Sequence, residues 1–196
     1  GEMFTGLNKI DGKLYRFNDG GVMATGWEQF DNKWYYYTSS GDQKKGWLKY
    51  NNDWYYLELK DGEMVTGTKE IDGQQYSFKD SGAMVTGWNQ TDDKWYYYAS
   101  SGELKKGWIK YAGDWYYLDS KDGEMVTGTK EIDGQQYSFK ASGAMVTGWK
   151  QEDDKWYYYA SSGEQKKGWI KSAGKWYYLN QNDGVMVTGQ SLINIS

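Results

Sequence analysis

Gly26-Trp27-Glu28-Gln29-Phe30-Asp31-Asn32-Lys33-Trp34-Tyr35-Tyr36-Tyr37 is the stretch on which the reading turns. Two aromatic, β-prone runs flank a short polar segment, and that pattern reads as a β-hairpin. Gly-Trp, six residues, then Trp-Tyr-Tyr occurs six times, giving the pairs Trp27/Trp34, Trp47/Trp54, Trp88/Trp95, Trp108/Trp115, Trp149/Trp156 and Trp169/Trp176. Those pairs use all 12 tryptophans of the chain. The chain therefore builds one object several times over.

Working outward, the anchoring glycines are Gly6, Gly26, Gly46, Gly67, Gly87, Gly107, Gly128, Gly148, Gly168 and Gly189. Their spacing of 20, 20 and 21 residues recurs three times, so a 61-residue super-repeat contains three kinds of unit. The first kind ends Trp-Tyr-Tyr-Tyr (26–45, 87–106, 148–167) and the second Trp-Tyr-Tyr-Leu (46–66, 107–127, 168–188). In the third (67–86, 128–147) Gln-Gln-Tyr-Ser-Phe replaces the second Trp and its neighbours, and 6–25 is a diverged copy of it. A tail, 189–196, follows. Polar turns are expected at Asn51-Asn52-Asp53, Asp72-Gly73, Asp92-Asp93-Lys94 and Ala112-Gly113-Asp114. An isolated hairpin is marginal in water. The expectation is thus an all-β solenoid of stacked hairpins, a single repeat array over 1–196.

Composition narrows the function. Aliphatic residues are few and aromatics make up 19% of the chain, which predicts a core built mostly of rings. Pro, Cys and His are absent, which removes disulfides, zinc sites and histidine chemistry. A net charge of −4 disfavours nucleic acid as a partner. No apolar run approaches a membrane span of roughly 20 residues. The chain opens mid-repeat at Gly1-Glu2-Met3, which reads as a portion of something longer.

Strand side chains alternate between faces. Counting the residue after each anchoring glycine as offset zero, the Trp pair occupies offsets zero and seven. In the third kind, offsets zero, seven and nine become Thr68, Gln75 and Ser77, while Tyr76 and Phe78 keep offsets eight and ten aromatic. One face has turned polar and the other is retained, so the two faces have different tasks. The Trp pair can be lost without losing the hairpin, which points to binding more than to folding. A purely packing role competes, because Trp and Tyr also suit strands. Open aromatic walls would hold a quaternary ammonium by cation–π attraction or stack on a sugar ring.

Gly-Trp-x6-Trp-Tyr-Tyr followed by Gly-x-Met-x-Thr-Gly resembles the choline-binding repeats of pneumococcal and related streptococcal surface proteins, autolysins and phage lysins. The resemblance is close in Gly26–Gly46, Gly46–Gly67 and their later copies. It implies hairpins stacked in a left-handed superhelix, with sites between consecutive hairpins for the choline of teichoic and lipoteichoic acids. Such a site takes two Trp from one hairpin and a Tyr from the next, often with a Met nearby. By position, Trp27/Trp34 would be closed by Tyr55, Trp47/Trp54 by Tyr76, Trp88/Trp95 by Tyr116, Trp108/Trp115 by Tyr137 and Trp149/Trp156 by Tyr177. Offset nine is the alternative closing Tyr. Trp169/Trp176 has no following hairpin and counts as incomplete. Met64 and Met125 lie where a flexible apolar cap could complete a site or simply pack the connection, whereas first-kind units carry Gln43, Leu104 and Gln165 there.

The third units, with Ile71-Asp72-Gly73-Gln74-Gln75-Tyr76-Ser77-Phe78, look more like glucan-binding repeats of streptococcal glucosyltransferases and repeats of clostridial toxins. Glucan or carbohydrate binding is accordingly the second reading. Asp92-Asp93 and Asp153-Asp154 sit in turns without EF-hand ligand spacing, so no metal is expected. The recurring Lys44-Lys45, Lys105-Lys106 and Lys166-Lys167 read as solvated, with teichoic phosphates as the alternative contact. Acid pairs repeat with the fold, and an active site is normally singular, so no enzyme and no cofactor are expected. The whole reads as a non-catalytic attachment module, extracellular and associated with the cell wall, for which a parent hydrolase is conceivable.

Overall fold

The computed structural model describes residues 2–189, and each of its 18 strands is five residues long. They pair in sequence order as antiparallel hairpins: β1–β2 (Gly6–Ile10, Lys13–Phe17), β3–β4 (Gly26–Phe30, Lys33–Tyr37), β5–β6 (Gly46–Tyr50, Asp53–Leu57), β7–β8 (Gly67–Ile71, Gln74–Phe78), β9–β10 (Gly87–Thr91, Lys94–Tyr98), β11–β12 (Gly107–Tyr111, Asp114–Leu118), β13–β14 (Gly128–Ile132, Gln135–Phe139), β15–β16 (Gly148–Glu152, Lys155–Tyr159) and β17–β18 (Gly168–Ser172, Lys175–Leu179). The all-β hairpin reading holds. The hairpins gather into two compact units. One takes the chain up to Asn89 together with Tyr98–Leu104, and the other takes Gln90–Tyr97 together with the chain from Lys105 onward.

The turns are tighter than the sequence suggested. Each has two residues, so Asp53, Lys94 and Asp114 belong to the strands and not to the turns. Both central residues adopt positive φ, as at Asn51 (48°) and Asn52 (70°) or Ala112 (50°) and Gly113 (93°). That is the type I′ geometry, whose twist matches that of the flanking strands, and Asn, Asp and Gly tolerate it best. The tight turn fixes the register. Offset zero lies opposite offset nine (Trp27↔Tyr36, Trp108↔Tyr117), and offset two lies opposite offset seven (Gln29↔Trp34, Lys110↔Trp115).

Stacking is built into the connections. Each segment after a hairpin runs back beside its own offset ten, as in the bridges Leu57↔Met64 and Phe139↔Met145. Its N–H then donates to the offset-seven carbonyl of the preceding hairpin: Met64 to Trp34 (2.8 Å), Met84 to Trp54 (2.7 Å), Met145 to Trp115 (2.8 Å) and Met186 to Trp156 (2.8 Å). Offset ten, held between these layers, forms the most deeply buried position, with Tyr37, Leu57, Leu118 and Leu179 at 0% exposure. The expectation of a core built mostly of Trp, Tyr and Phe is corrected here. Tyr and Phe share the interior with Leu48, Val65, Ile71, Val85, Val146 and Ile170, and no tryptophan is buried. Strands supply Leu48, Ile71 and Ile170 and connections supply Val65, Val85 and Val146, and the indoles stay outside the core.

Candidate functional site

The face carrying the Trp pair is directed at the opposite face of the following hairpin. Trp27 meets Tyr55 with ring centroids 5.0 Å apart, and Trp47 meets Tyr76 at the same distance. Trp108 meets Tyr137, and Trp149 meets Tyr177, at 4.9 Å each. Within a pair the two indoles stand nearly perpendicular: Trp47/Trp54 at 6.2 Å and 88°, Trp108/Trp115 at 6.4 Å and 84°, Trp149/Trp156 at 6.3 Å and 84°. Two indole faces and one phenol face thus form a corner with an open side.

The two tryptophans of a pair are not equivalent. The offset-zero Trp is the packed one: Trp108 also touches Tyr117 at 5.0 Å and Phe139 at 5.8 Å. The offset-seven Trp is the outer wall and stays about two-fifths exposed, as Trp34 (41%) and Trp115 (42%) show. Offset-nine tyrosines pack edge-on against the Trp of their own hairpin, as Tyr36 does against Trp27 at 5.3 Å. Tyr55 and Tyr137 at offset eight line the cavities, and Tyr36 and Tyr117 do not.

Two of these corners enclose defined cavities. One, of about 360 Å³, is lined by Trp27, Trp34, Tyr50, Tyr55 and Met64, with Asp80 and Ser81 at its rim. The other, of about 400 Å³, is lined by Trp108, Trp115, Tyr137 and Met145, with Ser161 and Ser162 at its rim. Each cavity draws on three successive units: the Trp pair, then Tyr and Met, then a polar connection. Burial within this corner raises the Tyr55 phenol above its ordinary value, so it remains a neutral ring at physiological pH. Ring faces carry the negative part of the aromatic quadrupole, and the corner is suited to a compact, apolar-skinned cation.

The methionines obey a rule that the sequence reading missed. Where the preceding hairpin has Trp at offset seven, the residue bonded to its carbonyl is Met: Met64, Met84, Met125, Met145 and Met186. Where offset seven is Leu14, Gln75 or Gln136, that residue is Gln43, Leu104 or Gln165. Met64 therefore belongs with Trp27/Trp34, and Met84, Met145 and Met186 join the expected set. The signal was present in the sequence at a separation of 30 residues, as from Trp34 to Met64. Met64 and Met145 also pack the connection, resting on Gly82 and Gly163, where any Cβ would lie 2.2 Å from the sulfur. The same side chain thus lines the cavity and packs the connection.

Other expected residues fall as follows. Trp169 (67%) and Trp176 (64%) are far more exposed than the other tryptophans, as befits a pair whose face no described hairpin covers. Trp88 lies in the first unit and Trp95 with Tyr116 in the second. Their grouping rests on equivalence to the other pairs in sequence. Third-kind hairpins replace the corner with polar packing: Ser138 is fully buried and accepts from Lys150 Nζ at 2.8 Å. Lys45, Lys106 and Lys167 donate to backbone carbonyls of the next connection, those of Lys60, Lys121 and Asn182 among them, so these lysines brace the stack.

Comparison with known proteins agrees with this architecture. The family model described as a choline-binding repeat matches residues 24–68, 65–106, 85–128, 126–160 and 146–191, and a cell wall binding repeat matches 5–23. The chain belongs to the choline-binding repeat family. Choline binding protein F from Streptococcus pneumoniae is similar over 94% of this chain and 87% of its own, at 31% identity and a TM-score of 0.69. The choline-binding domain of CbpL from the same species is similar over 95% and 99%, at 27% identity and 0.69. The modular autolysin LytC of that species is 32% identical with a TM-score of 0.61, and this chain spans 43% of it. A search of curated protein sequences gave no match.

Proposed function

We propose that the aromatic corners are choline sites and that the chain is a multivalent, non-catalytic module acting at the bacterial cell wall. The sites are Trp27/Trp34/Tyr55/Met64, Trp47/Trp54/Tyr76/Met84, Trp108/Trp115/Tyr137/Met145 and Trp149/Trp156/Tyr177/Met186. The supporting observation is the cavity with two perpendicular indoles, a phenol and a thioether as walls, which offers ring faces to a trimethylammonium group and few directional hydrogen bonds to a sugar. The partner is the choline of teichoic and lipoteichoic acids, outside the cell. LytC, a modular autolysin, illustrates a parent in which such repeats accompany a further part of the chain.

Each site is weak alone. A small cation held by a few rings binds near millimolar, about −4 kcal/mol. Several sites on one choline-decorated polymer gain avidity through effective concentration, and all repeats of 1–196 contribute as one array. Retention on a tertiary-amine resin with elution by free choline tests the reading. Passage through that resin combined with retention on dextran would replace it with glucan binding.

A further inference from the structure

The cages are not chemically alike, and the differences fall on exposed residues at and beside each cavity. At the Trp27/Trp34 cage the outer lining is Asp80 and Ser81, both exposed. At the Trp108/Trp115 cage the same structural position is taken by Ser161 and Ser162, which bring hydroxyls and no charge. A second contrast lies across the strand from the outer Trp. Gln29 opposes Trp34, whereas Lys110 opposes Trp115 and holds its Nζ 6.0 Å from the indole centroid. One cage thus has an anion at its mouth and an amide across the strand. The other has two hydroxyls, one of them donating to the Glu164 carboxylate outside the lining, and an ammonium.

Resting on the choline reading, we infer that the two cages discriminate phosphocholine from free choline in opposite senses. The trimethylammonium group occupies either cage equally. A phosphate on the choline hydroxyl is repelled by Asp80 at the first cage. At the second it is received by the Ser161 hydroxyl, that of Ser162 being donated to Glu164, and attracted by Lys110. The other charged groups near the second rim are Glu164, whose carboxylate accepts from the Ser162 hydroxyl, and Lys166, 3.8 Å from that carboxylate. Glu164 lies outside the cavity lining and has this lysine beside it, so it opposes phosphate less than Asp80 does. A unit charge about 6 Å from a phosphate shifts affinity by roughly threefold even at the dielectric of bulk water.

The test is a titration of the full chain, 15N-labelled at tryptophan, with choline and with phosphocholine, following indole N–H resonances assigned through Trp34→Phe and Trp115→Phe. The phosphocholine-to-choline affinity ratio is expected to be higher at Trp108/Trp115 than at Trp27/Trp34. Asp80→Ser should raise the ratio at the first cage by about threefold or more and leave the second unchanged, and Lys110→Gln should lower it at the second. Asp80 and Lys110 are both exposed, so neither substitution threatens folding. Equal ratios at the two cages, or no response to Asp80→Ser, would overturn the inference while leaving choline binding standing. Silence of both indole sets toward both ligands would instead overturn the choline reading itself.

Discussion

Replacing Trp115 and Trp108 separately by alanine should split binding from folding. Trp108 is packed against Tyr137 (4.9 Å), Tyr117 (5.0 Å) and Phe139 (5.8 Å), so Trp108→Ala removes a large, well-contacted side chain. A loss of about 3–5 kcal/mol is the usual result of such a truncation. Trp115 is 42% exposed and has Trp108 as its ring neighbour at 6.4 Å. An edge-to-face contact contributes about 0.5–1.5 kcal/mol, and partial burial adds little more, so Trp115→Ala should destabilise by about 1–2 kcal/mol. For choline the order reverses in significance. Trp115→Ala deletes an entire wall, about 0.5–2 kcal/mol of cation–π attraction, or roughly a twofold to thirtyfold loss at that cage. Thermal unfolding by circular dichroism reads the first quantity, and the indole-resolved choline titration reads the second. If Trp115→Ala unfolds the protein as readily as Trp108→Ala, or leaves choline affinity at that cage intact, the outer indole is packing and the division of labour argued here is wrong.

Gly163→Ala should weaken the same cage without touching an aromatic residue. A Cβ there would lie 2.2 Å from Met145 Sδ at a φ of +97°, so the thioether must move, and a severalfold rise in the dissociation constant for choline is expected by calorimetry. Choline should stabilise the fold, because each cage exists only between stacked hairpins; at about 100 times the dissociation constant one site adds roughly 2.7 kcal/mol, read as a progressive rise in Tm. Stability should fall in alkali. Burial raises the Tyr55 and Tyr159 phenols above their ordinary values, so the unfolded chain releases these protons first, and stability present below about pH 10 is lost as pH rises through the folded values. Urea midpoints measured between pH 8 and 11 should decline only at the upper end.

The hairpins, the pairing of offset-zero Trp with the next offset-eight Tyr, and the exposed terminal pair were all legible in the repeat pattern. Comparing units inside one chain did the work: Tyr76 survives where Trp and Tyr of the other face are replaced, because it serves the preceding hairpin and not its own. The methionines were half-legible. Met64 and Met125 stood out within second-kind units, but the partner of Met64 is Trp34, one unit earlier, a pairing that the 30-residue separation carries and the backbone bond makes plain. Rim residues such as Asp80 and Ser161 were invisible for the same reason, since they reach the cage from two units away. The buried valines carry little signal in sequence, with Val65 and Val85 isolated among Thr, Met and Gly in the connections.

The central claim is that the corners hold a cation and not merely an apolar group. Its most direct test is calorimetric titration with choline and with its neutral isostere, in which tert-butyl replaces trimethylammonium. Shape and apolar area are nearly matched, so burial contributes nearly equally. What differs is attraction to the ring faces, about 0.5–2 kcal/mol per well-placed ring. With no histidine in the chain, the preference should also hold from pH 5 to 8. Choline binding at least several times tighter than the isostere is the predicted result, and equal affinities would contradict the account.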